Sequence, residues 1–173
     1  MADRPVTRVM GDDVAFRFRE IDIACDWETL VVFHRDVFTI SYGSDQEFSE
    51  TTYREILRAR LRDFPRGQML VLDGDAVAGQ IEIWARVYEG RQIGYVSLFY
   101  LRPPWRGRGL GMELLNYAEA FFAEMGLVEY HLRVSSANER AMRFYERAGF
   151  RRIAQEQREH ITWRMAKRIP AKS

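Results

Sequence analysis

The strongest structural signal in this chain is an abrupt change of composition between residues 94 and 112. The stretch reads GYVSLFYLRPPWRGRGLGM: a strand-like pattern gives way to Arg, Pro and Gly, and a helical pattern follows. Glycine allows successive backbone N–H groups to point into one concavity, and a helix N-terminus adds a partial positive charge there. Arginines at positions 102, 106 and 108 bring three formal positive charges. The stretch therefore predicts a phosphate site between a strand and a helix.

Hydrophobic periodicity on either side predicts an α/β protein (α+β mixed sheet). Apolar runs and alternation predict strands over residues 16–21, 68–72, 76–87, 92–101, 130–134, 150–154 and 160–165. Apolar stripes predict helices over residues 27–40, 51–64, 110–125 and 136–148. The second helix is expected to bury Tyr53, Ile56 and Leu57, and Ser136 with Glu139 is expected to cap the last. The predicted order is β-α-α-β-β-β-α-β-α-β-β.

Length and composition bound the domain organisation. The chain has 173 residues, and we expect a flexible N-terminus over residues 1–13 and a single domain over 14–173. A formal net charge of +1, from 26 Lys and Arg against 25 Asp and Glu, excludes a generally basic nucleic-acid binder. Cys25 is the only cysteine, which excludes a disulfide framework or a CxxC metal motif. No apolar run approaches the roughly 20 residues of a membrane span. We expect a cytoplasmic protein with no metal, membrane or nucleic-acid partner.

Two nucleotide-binding motifs fit the glycine-rich stretch poorly. A G-x-G-x-x-G pattern starting at Gly107 requires Gly or Ala where Met112 stands. Its turn would also follow the strand directly, whereas Pro103 and Pro104 lie in between. The pattern GxxxxGK[ST] is absent from the sequence.

Two motifs together resemble the GNAT superfamily of acyl-CoA-dependent N-acyltransferases. Residues 106–111 read RGRGLG and fit the family's pyrophosphate pattern Arg/Gln-x-x-Gly-x-Gly/Ala in full. Residues 138–150 read NERAMRFYERAGF and resemble the family's Asn-x-x-Ala-x-x-Phe-Tyr-x-x-x-Gly-Phe. The predicted order of elements also agrees with a GNAT-type fold, and the resemblance covers residues 15–166.

The resemblance implies a binding site for acetyl-CoA as cosubstrate. In this family the pantetheine arm pairs with the strand before the loop, here near Phe99, Tyr100 and Leu101. Asn138 matches the position that contacts the cofactor arm, and it suits an N-cap role equally well. The positions implied at the pyrophosphate are Arg106, Gly107, Arg108, Gly109, Leu110, Gly111 and Met112.

The resemblance also implies a role for Tyr145 beside the thioester sulfur. A phenol with a pKa of about 10 can hydrogen-bond or protonate the departing thiolate. The alternative is a packed core aromatic, since Phe144 and Tyr145 are adjacent on a predicted helix.

The group that takes the acceptor's proton departs from the family pattern. Many members carry a glutamate on the strand before the loop, but that position falls near Tyr95, and residues 92–101 contain no carboxylate. Glu82, on the neighbouring predicted strand, is the expected catalytic substitute, with a solvent-facing residue as the alternative. A water relay and His34 are further candidates, although a lone histidine is more often structural. Cys25 lies away from both motifs, so direct attack by the amine is expected rather than a covalent acyl-enzyme.

The predicted activity is acetyl transfer from acetyl-CoA to a primary amine of a small molecule or protein, through a ternary complex. The alternatives are a non-catalytic acyl-CoA-binding or sensor domain of the same fold and a nucleotide-binding module. Asp45, Glu47 and Glu50 lie in a loop without a cationic residue, which favours either a cationic acceptor or a simple solvated loop. A homodimer is an open alternative to a monomer.

Overall fold

The computed structural model describes residues 7–8 and 16–171, which form an eight-stranded mixed sheet with helices on both faces. The strands are β1 (Thr7–Arg8), β2 (Arg17–Glu20), β3 (Gln68–Asp73), β4 (Ala76–Tyr88), β5 (Arg91–Leu101), β6 (Glu129–Ser135), β7 (Arg151–Gln157) and β8 (Ile161–Arg168). The helices are α1 (Ile23–Tyr42), α2 (Glu50–Asp63), α3 (Gly111–Glu124) and α4 (Glu139–Arg147), with short 3-10 turns at Pro65–Gly67 and Pro103–Trp105. Across the sheet the order is β1-β2-β3-β4-β5-β6-β8-β7.

The predicted order of strands and helices is confirmed, as is the α/β class with a mixed sheet. β1 is an addition, a two-residue strand that pairs with β2. The predicted flexible N-terminus over residues 1–13 otherwise lies outside the described residues, and the single domain over 14–173 stays a prediction. No helix in the described part of the chain is long and apolar enough to cross a membrane.

Within the described sheet, the parallel pairing of β5 with β6 is very short. Its register consists of Gly94↔Tyr130, Tyr95↔His131 and Val96↔Leu132. Beyond Val96, β5 continues alongside β4 as far as Leu101, while β6 continues alongside β8 as far as Ser135. The two strands therefore diverge, and a gap opens between their C-terminal ends.

A β-bulge lies at the point of divergence. Glu82 of β4 pairs with Leu98, whereas Ile83 pairs with Val96, so Ser97 is the extra residue of β5. A bulge bends its strand and increases the local twist. β5 therefore changes direction directly after its last pair with β6.

Hydrophobic side chains fill both faces of the sheet. On one face α3 contributes Leu115 and Phe122, which pack in a core with Val96. On the other face α1 and α2 enclose a second core that includes Leu98. In a regular strand, residues 96 and 98 would share one face. The bulge reverses the alternation, and β5 is thereby held by both cores.

Two local predictions are wrong. The N-cap of α4 is Asn138, whose Oδ1 accepts from the Ala141 N–H at 3.1 Å, so the predicted capping box of Ser136 and Glu139 does not form. Asn138 directly precedes the first helical residue, which is the position that caps. Ile56 is 42% exposed, because each helical residue is rotated by about 100° from the next and the buried direction belongs to its neighbour.

Leu57→Ala should lower the free energy of unfolding by about 2–5 kcal/mol, because Leu57 lies on the buried face of α2, is fully buried, and leaves a cavity when its side chain is removed. The adjacent Ile56→Ala is the matched control and should cost no more than about 1 kcal/mol. Urea unfolding followed by circular dichroism measures both values. Equal losses from the two variants would contradict the assigned buried face of α2.

Candidate functional site

The gap between β5 and β6 forms a cavity of about 550 Å³. Its walls are the last part of α1, residues 97–101 of β5, residues 133–135 of β6, the loop before α3, the first residues of α3 and one face of α4. A concave space of this size suits a small-molecule ligand or cofactor. The site predicted from the two sequence motifs therefore coincides with the place where the sheet opens.

Residues 107–111 form the end of the cavity next to α3. Gly107 and Gly109 have φ angles of +72° and +74°, in the left-handed region that favours glycine. The N–H groups of residues 107–111 donate to no acceptor in the described part of the chain, and no side chain caps the start of α3. This set of free N–H groups is narrower than the predicted one, residues 106–112. Arg106 N–H donates to a carbonyl at 3.1 Å, and Met112 N–H donates to another at 3.3 Å. Free N–H groups at a helix start form an anion-binding site.

Arg106 fastens this loop to β5 and α1. Its Nε donates to the Leu101 carbonyl at 2.7 Å and its Nη2 to Asp36 at 2.6 Å. The Tyr100 hydroxyl donates to the same Asp36 oxygen at 2.6 Å. Burial alone would raise the pKa of Asp36, but the hydrogen bonds from Tyr100 and Arg106 outweigh it and hold the pKa below its usual value. The charge of Arg106 is therefore paired, and its side chain links the loop to β5 and α1 rather than standing free for a phosphate.

Arginines that differ from the predicted ones supply positive charge to the cavity. Of the predicted ones, Arg102 donates to the Val77 carbonyl at 3.3 Å and does not line the cavity, and Arg108 is exposed outside the cavity wall. Arg140 and Arg147 of α4 line the cavity instead, and sequence reasoning missed them. Their separation along the helix places them on one face, which is the signal that would have found them. A guanidinium can bind phosphate through two parallel hydrogen bonds.

Asn138 combines the two roles considered for it. Its Oδ1 caps α4, and the residue also lines the cavity. The cap leaves the side-chain NH₂ group without an acceptor among the described residues. Contact with the cofactor arm stays a prediction that this geometry permits.

Tyr145 of α4 lies in the cavity wall. Its ring packs against Phe144 and Phe150 with centroid distances of 5.2 and 5.4 Å. Burial raises the pKa of Tyr145, so the phenol keeps its proton at neutral pH. No acceptor within residues 16–171 takes that proton in a hydrogen bond. The phenol is a free donor in the cavity.

Glu82 lies behind the cavity wall rather than in it. It is 2% exposed, and its Oε1 accepts from the Tyr53 hydroxyl at 2.6 Å and from Gln80 Nε2 at 2.8 Å. Arg60 Nη1 donates to Oε2 at 3.1 Å. The hydroxyl of Ser97, which does line the cavity, lies 3.3 Å from the Glu82 backbone carbonyl and 3.4 Å from the same Oε2, and it donates its proton to one of the two at a time. Ser97 therefore connects the cavity to the buried carboxylate.

His34 is buried on the far side of this carboxylate. Its Nδ1 bonds the Leu30 carbonyl at 3.0 Å, and its Nε2 lies 3.4 Å from Glu82 Oε1. Burial lowers the pKa of His34 and exceeds the raising effect of Glu82. The ring is therefore mainly neutral at pH 7, and it does not reach the cavity wall.

Arg133 joins Ser97 in the wall where β5 and β6 part. Its Nε donates to Glu156 of β7 at 2.5 Å, and its Nη1 donates to the Tyr95 hydroxyl at 3.3 Å. Tyr95 stands near the position expected for the family's strand glutamate, and the carboxylate that Arg133 contacts lies on β7 instead. Sequence reasoning missed Arg133 and Glu156, because only the strand order β6-β8-β7 brings them together.

Each of the three carboxylates in the acidic loop after α1 has a partner within the protein. Arg35 binds Asp45 at 2.9 Å and Glu50 at 2.8 Å. Glu47 lies 2.9 Å from His160 Nε2 on the β7–β8 hairpin. One arginine shared by two carboxylates leaves the loop with an excess of negative charge, so the hypothesis that it attracts a cationic acceptor stays a prediction.

The structure brings most of the predicted site residues into one cavity. Those that line it are Phe99, Tyr100, Leu101, Arg106, Gly107, Gly109, Leu110, Gly111, Asn138 and Tyr145. Arg108 and Met112 are exposed outside it, and Glu82 lies behind Ser97. Cys25 is exposed in a separate depression between the start of α1 and the middle of α2.

Comparisons with known proteins agree with this geometry. The family model described as "Acetyltransferase (GNAT) family" matches residues 27–150. N-alpha-acetyltransferase 30 of Schizosaccharomyces pombe is 26% identical over 117 residues, which cover 67% of this chain and 78% of that protein. Mycothiol acetyltransferase of Geodermatophilus obscurus is 33% identical over 108 residues, which cover 60% of this chain and 33% of that protein. The chain thus spans about a third of the second relative's length.

A solved structure of spermidine N-acetyltransferase from Vibrio cholerae, in complex with CoA and spermine, has a similar fold. The TM-score is 0.67 at 18% identity, and the match covers 89% of this chain and 95% of that one. At this identity the likeness establishes the fold alone. The names of these three proteins point to three different acceptors, so the comparisons leave the acceptor of this chain open.

Gly109→Glu should weaken CoA binding by at least about 30-fold, or roughly 2 kcal/mol, because it puts a carboxylate at the anion-binding end of the cavity. Gly109→Ala is the matched control, since it introduces the same left-handed strain without charge and its Cβ would meet no atom within 4 Å. Titration calorimetry with CoA measures both affinities. Equal binding by the two variants would show that residues 107–111 do not hold the phosphates.

Proposed function

The chain belongs to the acetyltransferase (GNAT) family, and we propose that it transfers an acetyl group from acetyl-CoA to a primary amine by direct attack within a ternary complex. It is an acyl-CoA-dependent acetyltransferase, and acetyl-CoA is its cosubstrate. The observation that carries the proposal is a single cavity that joins the free N–H groups of residues 107–111 to the phenol of Tyr145.

The cofactor would bind with its pyrophosphate on residues 107–111 and its pantetheine arm in the gap beside β5. Arg140 and Arg147 would supply the counter-charge. After Val96, no described strand pairs with the edge of β5 that faces the gap. A buried backbone group without a partner costs about 1–3 kcal/mol, so an extended ligand with its own amides is a favourable partner for residues 97–101. The thioester would then lie where β5 and β6 part.

The chemistry would proceed without an acyl-enzyme. The lone pair of the acceptor nitrogen attacks the thioester carbonyl carbon, and the C–S bond breaks as the tetrahedral intermediate collapses. Tyr145 donates its proton to the leaving thiolate, which has an intrinsic pKa of about 8.5. The location of Cys25, outside the cavity, supports direct attack over a thioester of the protein itself.

The acceptor's excess proton would leave through Ser97. An alkylamine has a pKa of about 10.4 and is almost entirely ammonium at pH 7. Ser97 Oγ, or a water bound to it, accepts this proton as the hydroxyl proton passes to Glu82 Oε2, 3.4 Å away. His34 Nε2 is the next proton acceptor, 3.4 Å beyond Glu82 Oε1. Glu82 would thus act as a base at one remove rather than by touching the amine.

Tyr145→Phe should lower kcat by about 100-fold and change CoA affinity by less than about 3-fold, because the ring remains and only the proton donor is lost. Steady-state kinetics and CoA calorimetry separate the two effects. Tyr117→Phe, which removes a hydroxyl of α3 that bonds the Arg66 carbonyl, is the control and should leave kcat unchanged. Wild-type turnover in Tyr145→Phe would remove Tyr145 from the mechanism.

Ser97→Ala should lower kcat by about 10-fold at pH 7, because the acceptor must then lose its proton to solvent. The rate should recover as the pH approaches the pKa of the amine. The profile of kcat/KM between pH 6 and pH 10 should therefore be displaced toward higher pH. Glu82→Gln should reproduce the shift, since it keeps the shape of the side chain and removes the proton acceptor. If both variants retain the wild-type pH profile, the proton leaves by another route.

A non-catalytic acyl-CoA sensor is the alternative, and the similarity to acetyltransferases does not favour it. Thiol release from acetyl-CoA with a panel of primary amines, followed by mass spectrometry of the products, separates the two. Turnover with any amine excludes the sensor, whereas CoA binding without turnover across amines, amino acids, polyamines and peptides would support it. Intersecting initial-velocity lines are expected for a ternary complex, and parallel lines with an acetylated protein would contradict direct attack.

A further inference from the structure

Two guanidinium groups share one carboxylate where β5 and β6 part. Arg133 Nε and Arg164 Nε donate to the two oxygens of Glu156 at 2.5 and 2.6 Å. The Arg164 side chain is 2% exposed and that of Arg133 is 23% exposed. Two positive charges against one negative charge leave one positive charge at the cavity wall.

The carboxylate on the same face of β6 is already paired elsewhere. Glu129 lies 2.8 Å from His131 Nε2 and 3.1 Å from Arg151 Nη2. His131 bonds Arg164 Nη1 at 3.3 Å through Nδ1, and burial lowers the pKa of this histidine despite the raising effect of Glu129. His131 is therefore mainly neutral at pH 7, and Glu129 is not available to offset the excess charge.

Arg133 keeps one donor group free for a ligand. Its Nε and Nη1 are bonded, while its Nη2 meets no acceptor among the described residues. Of the described residues that line the cavity, none is acidic. A partly buried cation that shares its counter-charge with a second cation is stabilised by an anion that enters the cavity.

We propose that the acceptor carries a carboxylate next to its amine, as a free amino acid does, and that Arg133 binds this carboxylate; the inference rests on the proposed acetyltransferase activity. Ser97 and Arg133 each directly follow the last β5–β6 pair, Val96↔Leu132. Both residues line the cavity, so a carboxylate held by Arg133 keeps the amine one carbon away within the part of the cavity that Ser97 also lines.

A role of Arg133 toward the oxyanion of the tetrahedral intermediate predicts a different result. That oxyanion derives from the acetyl group, so the contact would be made with every acceptor. A contact with the acceptor's carboxylate is made only when the acceptor has one. Acceptors that differ in this group alone therefore separate the two roles.

The test uses matched sets of acceptors: a series of amino acids, their carboxamides and the corresponding decarboxylated amines. For side chains that fit the cavity, kcat/KM for the acid should exceed that for the amide by at least about 10-fold, because a site built to bind a charged group rejects the analogue that lacks it. Rates are compared at a pH that gives equal fractions of free amine, since the amide lowers the amine pKa. A ratio near one across the series would overturn the proposal.

Variants of Arg133 link the preference to this residue. In Arg133→Met the acid-to-amide ratio should fall to near one, and in Arg133→Lys part of the preference should return. Arg86→Met is the control, since Arg86 stacks on the same Tyr95 ring at 5.0 Å but does not line the cavity, and its ratio should match the wild type. A loss of kcat/KM in Arg133→Met that is equal for acids and amides would assign Arg133 to the oxyanion and overturn the proposal.

A binding measurement tests the carboxylate site independently of the proposed acetyltransferase activity. With CoA present, an N-acetylated amino acid should bind at least about 10-fold tighter than its N-acetylated amide, and Arg133→Met should abolish the difference. Calorimetry measures both without turnover. If no amine is acetylated, the proposed function fails and this comparison still decides the carboxylate site. Equal binding of the acid and the amide, or no binding of the acid, would overturn the proposed carboxylate site. Acetylation of amides without a preference for acids would overturn the carboxylate site and leave the proposed acetyltransferase activity intact.

Discussion

The whole site follows from the short parallel pairing of β5 with β6. The ladder ends after Val96↔Leu132, and the bulge at Ser97 then directs β5 along β4. Val96 and Leu98 belong to hydrophobic cores on opposite faces, so the change of direction is held by packing on both sides. The gap is therefore a fixed feature of the sheet, and it leaves backbone groups of β5 for a ligand to satisfy.

A second interaction links the end of β5 to the loop before α3. Asp36 of α1 accepts from Tyr100 at the end of β5 and from Arg106 at the start of the loop, each at 2.6 Å. The arginine of the first sequence motif thus positions the loop, while the backbone N–H groups of residues 107–111 have no acceptor among the described residues. α4 completes the cavity with Arg140, Arg147 and Tyr145.

The order of elements and most cavity residues could be predicted because their signals are contiguous in the sequence. Hydrophobic periodicity identifies helices and strands, and a glycine-rich stretch before a helix identifies the loop. The charges could not be predicted in the same way. Arg106 is paired by a residue 70 positions away, and Arg133 meets Glu156 only through strand order and register. Burial of Glu82 behind Ser97 likewise depends on a bulge that no local pattern reveals.

Amide hydrogen exchange, compared with and without CoA, examines whether the gap in the sheet holds the cofactor. Addition of CoA should slow exchange at residues 97–101, along the open edge of β5, and at residues 107–111, where free N–H groups end the cavity. Exchange around Cys25, in the separate depression between the start of α1 and the middle of α2, should not change. Unchanged exchange in both cavity segments, or protection confined to the region of Cys25, would contradict the placement of acetyl-CoA between β5 and β6.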